Sequence, residues 1–336
     1  MRKGVKVTAL LLGAVLLLGL AACGKKNVQN PQTTAAGSEN TAETTAVLKQ
    51  QIKVAALKGP TAIGMVQLME NAKEQTAKND YEFQIAATAD EFSADLIKGN
   101  VALAALPCNA AATLYNKSNG KIRILGINTL GVLSILDTGD SVQKVADLKG
   151  KTVYTTGKGT TPEYTLRYLL SSAGLNPDSD VTIEFKSEAA EVAAVMANAG
   201  TEEVIAMLQQ PDTRIALDVT EEWEKLNGSD STVVTGVLVV NTEFYKNNRQ
   251  AVDDFLKEYK SSVQYVNSNV DGAAQLVEDF DIFKAAVAKK AIPKCNITLI
   301  TGQEMQDKVE KYLKVLCDAN PNAVGGQMPD DGFYVK

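Results

Sequence analysis

The sequence predicts an α/β protein built from two lobes, and two observations carry that prediction. Apolar runs of strand length alternate with helical segments over residues 51–127, and the same alternation returns over 151–208. Two long β-prone runs, at 129–136 and 232–240, join the two sets. Because alternating strands and helices build a parallel sheet flanked by helices, each set predicts one lobe. The two joining runs predict a hinge of two crossing strands.

The first set of alternating elements is predicted to begin and end with a strand. After its second strand, Thr88-Ala89-Asp90-Glu91 spells a capping box, in which Thr and the Glu three residues later satisfy free N–H groups of a helix. Gly99 ends that helix, because glycine tolerates the left-handed backbone found just past a helix C-terminus. The other predicted elements are strands at 52–57, 83–87, 101–106 and 121–127, and helices at 61–72 and 109–117.

The second set contains a helix with a clear start. Thr161 is well placed as its N-cap and Pro162 as its first residue, where a missing N–H costs nothing. Gly174 closes this helix at 162–173. The rest of the pattern predicts strands at 151–155, 181–185 and 203–208, a helix at 188–199, and C-terminal helices at 250–267, 272–280 and 302–319.

The N-terminus has the three parts of an export signal. Residues 1–6 are basic, residues 7–20 are almost all apolar, and Leu20-Ala21-Ala22-Cys23 follows. The apolar run is shorter than the ~20 residues of a membrane-spanning helix, so it predicts a signal peptide at 1–22. The small residues before Cys23 resemble the lipobox of bacterial lipoproteins, which implies cleavage before Cys23 and its lipidation. An ordinary signal peptide with an incidental cysteine is the alternative.

Residues 23–50 differ in composition from the rest of the chain. They are rich in Thr, Ala, Asn and Gln and poor in aromatic and branched apolar residues. Such a segment cannot pack a core and predicts a flexible tether. We therefore expect an extracytoplasmic protein whose globular part is anchored to the cell membrane through lipid on Cys23.

Charge and composition exclude several functions. Removing 1–22, which carries three positive and no negative charges, takes the net charge of the 336-residue chain from −6 to −9. An acidic exported protein is a poor partner for nucleic acid. The chain has no histidine, which removes the usual general base, the usual zinc ligand and every Ser-His or Cys-His nucleophile. We predict no catalytic residue, no metal and no cofactor, and hence a protein that is not an enzyme.

Four cysteines occur along the chain. With Cys23 used for lipid, Cys108, Cys295 and Cys317 remain, which is an odd number. An exported chain permits a disulfide, and Cys295 and Cys317 are close enough in sequence to form one. Spacing alone does not establish that bond.

Several segments occur in an order that resembles one protein family. They are Leu57-Lys58-Gly59-Pro60-Thr61, the run from Gly99 to Pro107, Asp147-Leu148-Lys149-Gly150-Lys151-Thr152-Val153, and Gly157-Lys158-Gly159-Thr160-Thr161. Over residues 50–336 the chain resembles the substrate-binding proteins of bacterial ABC importers, in the nitrate/sulfonate/taurine-type group that includes binders of thiamine precursors. Gln209-Gln210-Pro211 stands where relatives often carry Glu-Pro.

The resemblance implies a type II periplasmic-binding-protein fold. Lobe 1 would comprise 51–132 plus 236–336 and lobe 2 would comprise 133–235, after the signal peptide at 1–22 and the tether at 23–50. The two lobes would close on a small polar solute (a sulfonate, a carboxylate or a heterocycle) and present it to an ABC permease in the membrane. We expect a monomer.

Ligands of such sheets bind beyond the strand carboxyl ends, where helix N-termini offer free N–H groups. Each loop there also has a plain structural reading, as a turn, a helix cap or a buried small residue. The predicted ligand residues are Gly59, Pro60, Thr61, Thr88, Pro107, Cys108, Asn109, Gly159, Thr160, Thr161 and Gln210.

The loop before the helix at 162–173 is the strongest of these candidates. Thr160, Thr161 and several N–H groups gather at one helix N-terminus, which predicts a cradle for a sulfonate, carboxylate or phosphate. Lys158 adds a positive charge. A small neutral or anionic solute is therefore favoured, with a thiamine-precursor pyrimidine as the main competitor. Tyr154, Tyr164 and Trp223 are either stacking partners for a flat ligand or ordinary packing residues.

Two other classes of function remain open. One is a secreted lipoprotein hydrolase that uses a pair of carboxylates, although 40 acidic residues make some pair inevitable. The other is a lipoprotein sensor or protein-binding module. Fold analogy alone does not name the solute.

Overall fold

The computed structural model describes residues 49–187, 191–192 and 213–336. Several predicted features lie outside these residues: the predicted signal peptide, Cys23, the predicted tether up to residue 48, Gln210, the predicted strand at 203–208 and most of the predicted helix at 188–199. Within the described ranges, no helix is both long enough and apolar enough to cross a membrane.

A six-stranded mixed sheet forms the larger part of the molecule. Its strand order is β10-β4-β9-β3-β1-β2. Strands β1, β2 and β3 are parallel, whereas β9 runs antiparallel to both β3 and β4, and β10 runs antiparallel to β4. The strands are β1 (Gln51–Leu57), β2 (Asp80–Ala86), β3 (Leu103–Pro107), β4 (Ile122–Thr129), β9 (Gly236–Asn241) and β10 (Ile297–Ile300).

Strand β9, in the interior of the sheet, contributes side chains to the apolar clusters on both faces. All six of its residues are buried. Successive side chains of a strand point to opposite faces, so Leu238 and Val240 belong to one apolar cluster while Val237 and Val239 belong to the other. Helices cover both faces. On one face they are α2 (Val66–Lys73), α7 (Thr242–Asn247), α8 (Arg249–Ser268), α9 (Val270–Asp279) and α10 (Ala285–Ala291). On the other they are α4 (Cys108–Ser118) and α11 (Gly302–Ala319).

Two of the sequence-predicted helices in this part need correction. The predicted helix at 61–72 is broken at Gly64 and Met65 into α1 (Pro60–Ile63) and α2. Gly64 has no room for a side chain, since a Cβ there would collide with the Tyr259 hydroxyl. The predicted capping box at Thr88 is half formed. The N-cap of α3 (Asp90–Lys98) is Ala89, and Glu91 accepts the Thr88 N–H at 2.8 Å. Gly99 ends α3 in the left-handed conformation, as predicted.

Two small sheets form the second part of the molecule. Strand β5 (Ser134–Thr138) pairs antiparallel with β8 (Thr213–Asp218), and β6 (Thr152–Thr155) pairs parallel with β7 (Thr182–Phe185). A separate apolar cluster holds these sheets to α5 (Thr161–Ser172); its buried members include Val142, Leu148, Leu166, Leu170, Val181 and Leu217.

The described chain crosses between the large sheet and the small sheets twice. Residues 130–133 lead from β4 to β5, and residues 231–235 lead back into β9. The two crossings lie side by side, since the Thr235 N–H donates to the Thr129 carbonyl at 3.1 Å. The β-prone run at 232–240 is therefore part crossing and part central strand, because its residues from Gly236 onward pair with β3 and β4.

Three aromatic side chains, Tyr168, Trp223 and Tyr312, pack together where the two parts of the molecule meet, and they are called the aromatic seam. Trp223, on α6 (Val219–Asn227), is fully buried, with its ring centroid 5.0 Å from that of Tyr168 and 5.1 Å from that of Tyr312. The indole N–H donates to the Ser231 hydroxyl at 3.0 Å, so burial leaves no unpaired donor on this ring. Of the two readings of Trp223, the structure supports packing.

The remaining cysteines form no disulfide in the described part of the chain. Cys108, Cys295 and Cys317 are free thiols. Cys295 is buried, and burial raises the pKa of its thiol to about 11, whereas Cys317 is partly exposed.

Candidate functional site

Loops from several strands meet at one edge of the large sheet. Strands β1, β2 and β3 are parallel and so end at the same edge. Pro107, the last residue of β3, lies opposite Gly236, the first residue of β9, and Gly236 also lies opposite Thr129, the last residue of β4. Helices α1, α3 and α4 begin from this carboxyl edge. This is the edge at which ligands of open α/β sheets bind.

The loop after β1 is a tight turn, and some of its polar groups already make hydrogen bonds within the protein. Gly59 has a φ of 140°, a value that favours glycine, and α1 follows at Pro60. The Thr61 hydroxyl donates to the Leu57 carbonyl at 3.0 Å, so it stabilises the turn. The Thr61 carbonyl accepts the side-chain N–H of Asn128 at 3.0 Å.

Asn128 and Thr235 are edge residues that sequence reasoning missed. Asn128 is fully buried, and its side-chain oxygen also accepts from the Thr129 hydroxyl at 3.3 Å. The Thr235 hydroxyl oxygen is buried, and no residue within the described ranges hydrogen-bonds to it. Neither position carries a motif, since Asn128-Thr129 and Thr235 are short polar interruptions of apolar β-prone runs.

Thr88 reaches the edge but faces water. It is exposed, and both its N–H and its hydroxyl are directed to Glu91, at 2.8 and 3.3 Å. Its observed contacts are thus those of a helix start.

The loop after β3 brings two fully buried side chains to the edge. Burial raises the pKa of the Cys108 thiol far above its usual range, so the thiolate form is disfavoured there. The Asn109 amide donates to the Ala323 carbonyl at 3.0 Å and to the Gly159 carbonyl at 3.3 Å. Its oxygen accepts from the Thr161 hydroxyl at 3.3 Å. Asn109 therefore joins α4, the C-terminal segment and the loop that precedes α5.

The loop that precedes α5, residues 157–161, differs from the predicted anion cradle. The N-cap of α5 is Thr160 rather than Thr161, and its hydroxyl donates to the Gly157 carbonyl at 2.7 Å. The Gly159 N–H donates to the carboxylate of Glu163 at 2.7 Å. Both hydroxyls that predicted the cradle and the Gly159 N–H are thus committed within the protein, because Thr161 is also bonded to Asn109.

Two lysines lie beside aromatic rings at the carboxyl end of the small parallel sheet. The Lys158 ammonium is 5.8 Å from the ring centroid of Phe185, and the Lys186 ammonium is 5.3 Å from that of Tyr154. Lys186 also pairs with Glu184 at 3.3 Å. Tyr154 is therefore already in contact with a cation of the protein itself.

Of the eleven predicted ligand residues, the structure brings most together. The loops at Gly59–Thr61 and Pro107–Asn109 share the carboxyl edge, and Asn109 connects that edge to residues 157–161. Thr88 shares the edge but points to solvent, and Gln210 lies outside the described residues.

A cavity of about 370 Å³ lies elsewhere, between the two small sheets. None of the ten described ligand candidates lines it. Val192, which directly precedes the segment 193–212, forms part of its wall, and its other walls include Leu136, Asp137, Val153, Tyr154 and Leu166. No group of three or more Cys, Asp or Glu side chains suited to a metal ion occurs within the residues described.

Comparison with known proteins agrees with this architecture. Residues 122–273 match the family model described as NMT1/THI5 like. An ABC transporter protein from Parabacteroides distasonis is 24% identical, with a TM-score of 0.69 over 86% of this chain and 99% of that one. The chain has a periplasmic-binding-protein fold.

Further solved structures support the same fold. The periplasmic aliphatic sulphonate binding protein SsuA from Escherichia coli is 15% identical, with a TM-score of 0.63 over 82% of this chain and 90% of that one. The alkanesulfonate-binding protein SsuA from Xanthomonas axonopodis pv. citri, bound to MOPS, is 14% identical, with a TM-score of 0.63 over 85% and 97% of the two chains. No curated protein sequence matches the chain. The predicted periplasmic-binding-protein-like fold and the resemblance to importer binding proteins are confirmed.

Proposed function

We propose that this protein is an extracytoplasmic solute-binding lipoprotein that delivers a small polar solute to an ABC permease. The observation that carries the proposal is the junction between the carboxyl edge of the large sheet and residues 157–161. Loops from several strands converge there, and Asn109 spans the junction at 3.0–3.3 Å. The Thr235 hydroxyl at the same edge is buried and has no partner among the described residues, which suits a hydrogen-bonding solute.

We propose the lobe boundaries given by the sequence, with lobe 1 at 51–132 plus 236–336 and lobe 2 at 133–235. The two crossings at 130–133 and 231–235 would form the hinge. Closure about two adjacent crossings needs backbone changes at few residues while each lobe stays rigid. Gly236 marks the end of the hinge, since β9 is paired on both sides from that residue onward.

We propose that the protein is not an enzyme. The absence of histidine and the burial of Cys108 support this, because they remove the common activated nucleophiles. The carboxylate of Glu163, two residues after Thr161, is engaged with Gly159 and Arg167. Lipid attachment at Cys23, a monomeric state and contact with a permease belong to the same proposal.

A thermal-shift panel tests the solute-binding function. The purified protein is mixed with sulfonates, carboxylates, pyrimidines and polyamines, one per sample, and unfolding is followed by circular dichroism. A solute present at 100 times its Kd should stabilise the protein by about 2.7 kcal/mol, which is readily seen as a shift in Tm. Chromatography of each sample should show the solute unchanged. Consumption of the solute would indicate the hydrolase alternative, and no shift with any class would contradict solute binding.

A further inference from the structure

Glu163 occupies the place at which an anion would bind residues 157–161. It lies in the first turn of α5, and its side chain is only 11% exposed. One carboxylate oxygen accepts the Gly159 N–H at 2.7 Å. The other accepts from the Arg167 guanidinium at 2.8 Å. Both oxygens are therefore held by donors of the protein.

The position of this carboxylate has a simple electrostatic reason. The N-terminus of a helix carries partial positive charge and free N–H groups, so it attracts an anion from solution or an acidic side chain of its own first turn. Here the acidic side chain belongs to the chain itself. Pro162 supplies no N–H, and the hydroxyls of Thr160 and Thr161 donate within the protein.

Arg167 holds the carboxylate of Glu163 in place. It also pairs with Asp178 at 2.7 Å, so a single guanidinium serves two carboxylates. Burial lowers the pKa of Arg167, but the hydrogen bonds to Asp178 and Glu163 raise it by more, and the guanidinium stays charged. These three side chains together carry a net charge of −1, and Lys158 in the loop itself brings the local sum to zero. A second anion is therefore opposed by the carboxylate that already occupies the Gly159 N–H.

We propose that Glu163 is a specificity-determining residue that excludes anionic groups from this end of the site. The solute then presents an uncharged polar group to residues 157–161, and sulfonates, sulfate and carboxylates are not held there. This inference rests on the proposed solute-binding function and names the class of solute that it takes. It also replaces the anion cradle expected from the sequence.

The test compares anion binding by four full-length proteins. Inorganic sulfate and methanesulfonate are titrated by calorimetry and thermal shift into the wild type, Glu163→Ala, Glu163→Gln and Asp178→Asn. Glu163→Ala frees the Gly159 N–H, so we expect its affinity for both anions to rise at least tenfold over the wild type. Glu163→Gln keeps an acceptor oxygen at that position, and Asp178→Asn leaves the loop intact, so both should stay as unresponsive as the wild type.

Two results would overturn the proposal. One is saturable binding of methanesulfonate by the wild type, which the proposal excludes. The other is a folded Glu163→Ala protein, judged by its circular dichroism, whose anion affinity equals that of the wild type. The first result needs no folded variant, since titration of the wild type already shows whether a sulfonate binds. If no solute of the thermal-shift panel binds, the proposed function fails, while the sulfate titrations still decide whether Glu163 excludes anions.

Discussion

Replacing Trp223 with Ala is expected to lower the free energy of unfolding by about 3–5 kcal/mol. The indole ring is fully buried between Tyr168 and Tyr312, so the substitution removes its burial and leaves a cavity in the seam. It also removes the indole N–H from which the Ser231 hydroxyl accepts a hydrogen bond in the wild type. Urea unfolding followed by circular dichroism measures the change.

Leu226→Ala is the matched control on the same helix. Leu226 is 49% exposed, so its truncation should change the free energy of unfolding by no more than about 0.5 kcal/mol. Equal losses for the two variants would contradict the assignment of Trp223 to the seam between the two parts.

Asn109→Asp is expected to cost about 3 kcal/mol or more at pH 7, because it places an uncompensated charge in a buried position. The new carboxylate would face the Ala323 and Gly159 carbonyls, which the Asn109 amide now contacts at 3.0 and 3.3 Å. Burial and these oxygens favour the protonated acid, so the folded-state pKa of the new Asp would lie above its unfolded value of about 3.9.

The pH dependence of that loss has a definite sign. Between the unfolded and folded pKa values the unfolded chain binds fewer protons than the folded one, so stability falls as pH rises through this window. The deficit of Asn109→Asp relative to the wild type should therefore be smaller at pH 4 than at pH 7. Asn116→Asp is the control, since Asn116 donates to the Val324 and Gln327 carbonyls from a half-buried position. An equal, pH-independent loss in both variants would contradict the buried role of Asn109.

The sequence predicted the parallel part of the fold better than the rest of it. Strand-length apolar runs and the glycine at residue 99 place β1, β3 and α3 within a few residues. The antiparallel direction of β9 could not be read from its residues, because the run from Val237 to Val240 is apolar throughout and pairs equally well in either direction. Strand β10 was missed, since four residues carry too little periodicity to predict a strand.

The sequence predicted which loops meet at the carboxyl edge, but it did not predict the hydrogen bonds that these loops make. Parallel strands end at one edge, so the loops at Gly59 and Pro107 were expected to meet. The contact of Asn109 with Gly159 joins residues 50 positions apart, and local patterns do not report such pairs. A signal for Glu163 existed: Thr160 and Glu163 have the spacing of a capping box, with an acid that reaches back to a free N–H. In the structure that acid reaches Gly159, one residue before the N-cap.

Hydrogen exchange of the wild-type protein, with and without a saturating solute from the thermal-shift panel, tests the location of the site most directly. The carboxyl-edge site predicts that solute slows amide exchange in peptides covering 57–61, 129–131 and 157–161, because loops from both sides of the junction become ordered around it. Protection confined to 134–138 and 151–155, which line the cavity between the small sheets, would contradict a solute site at the carboxyl edge.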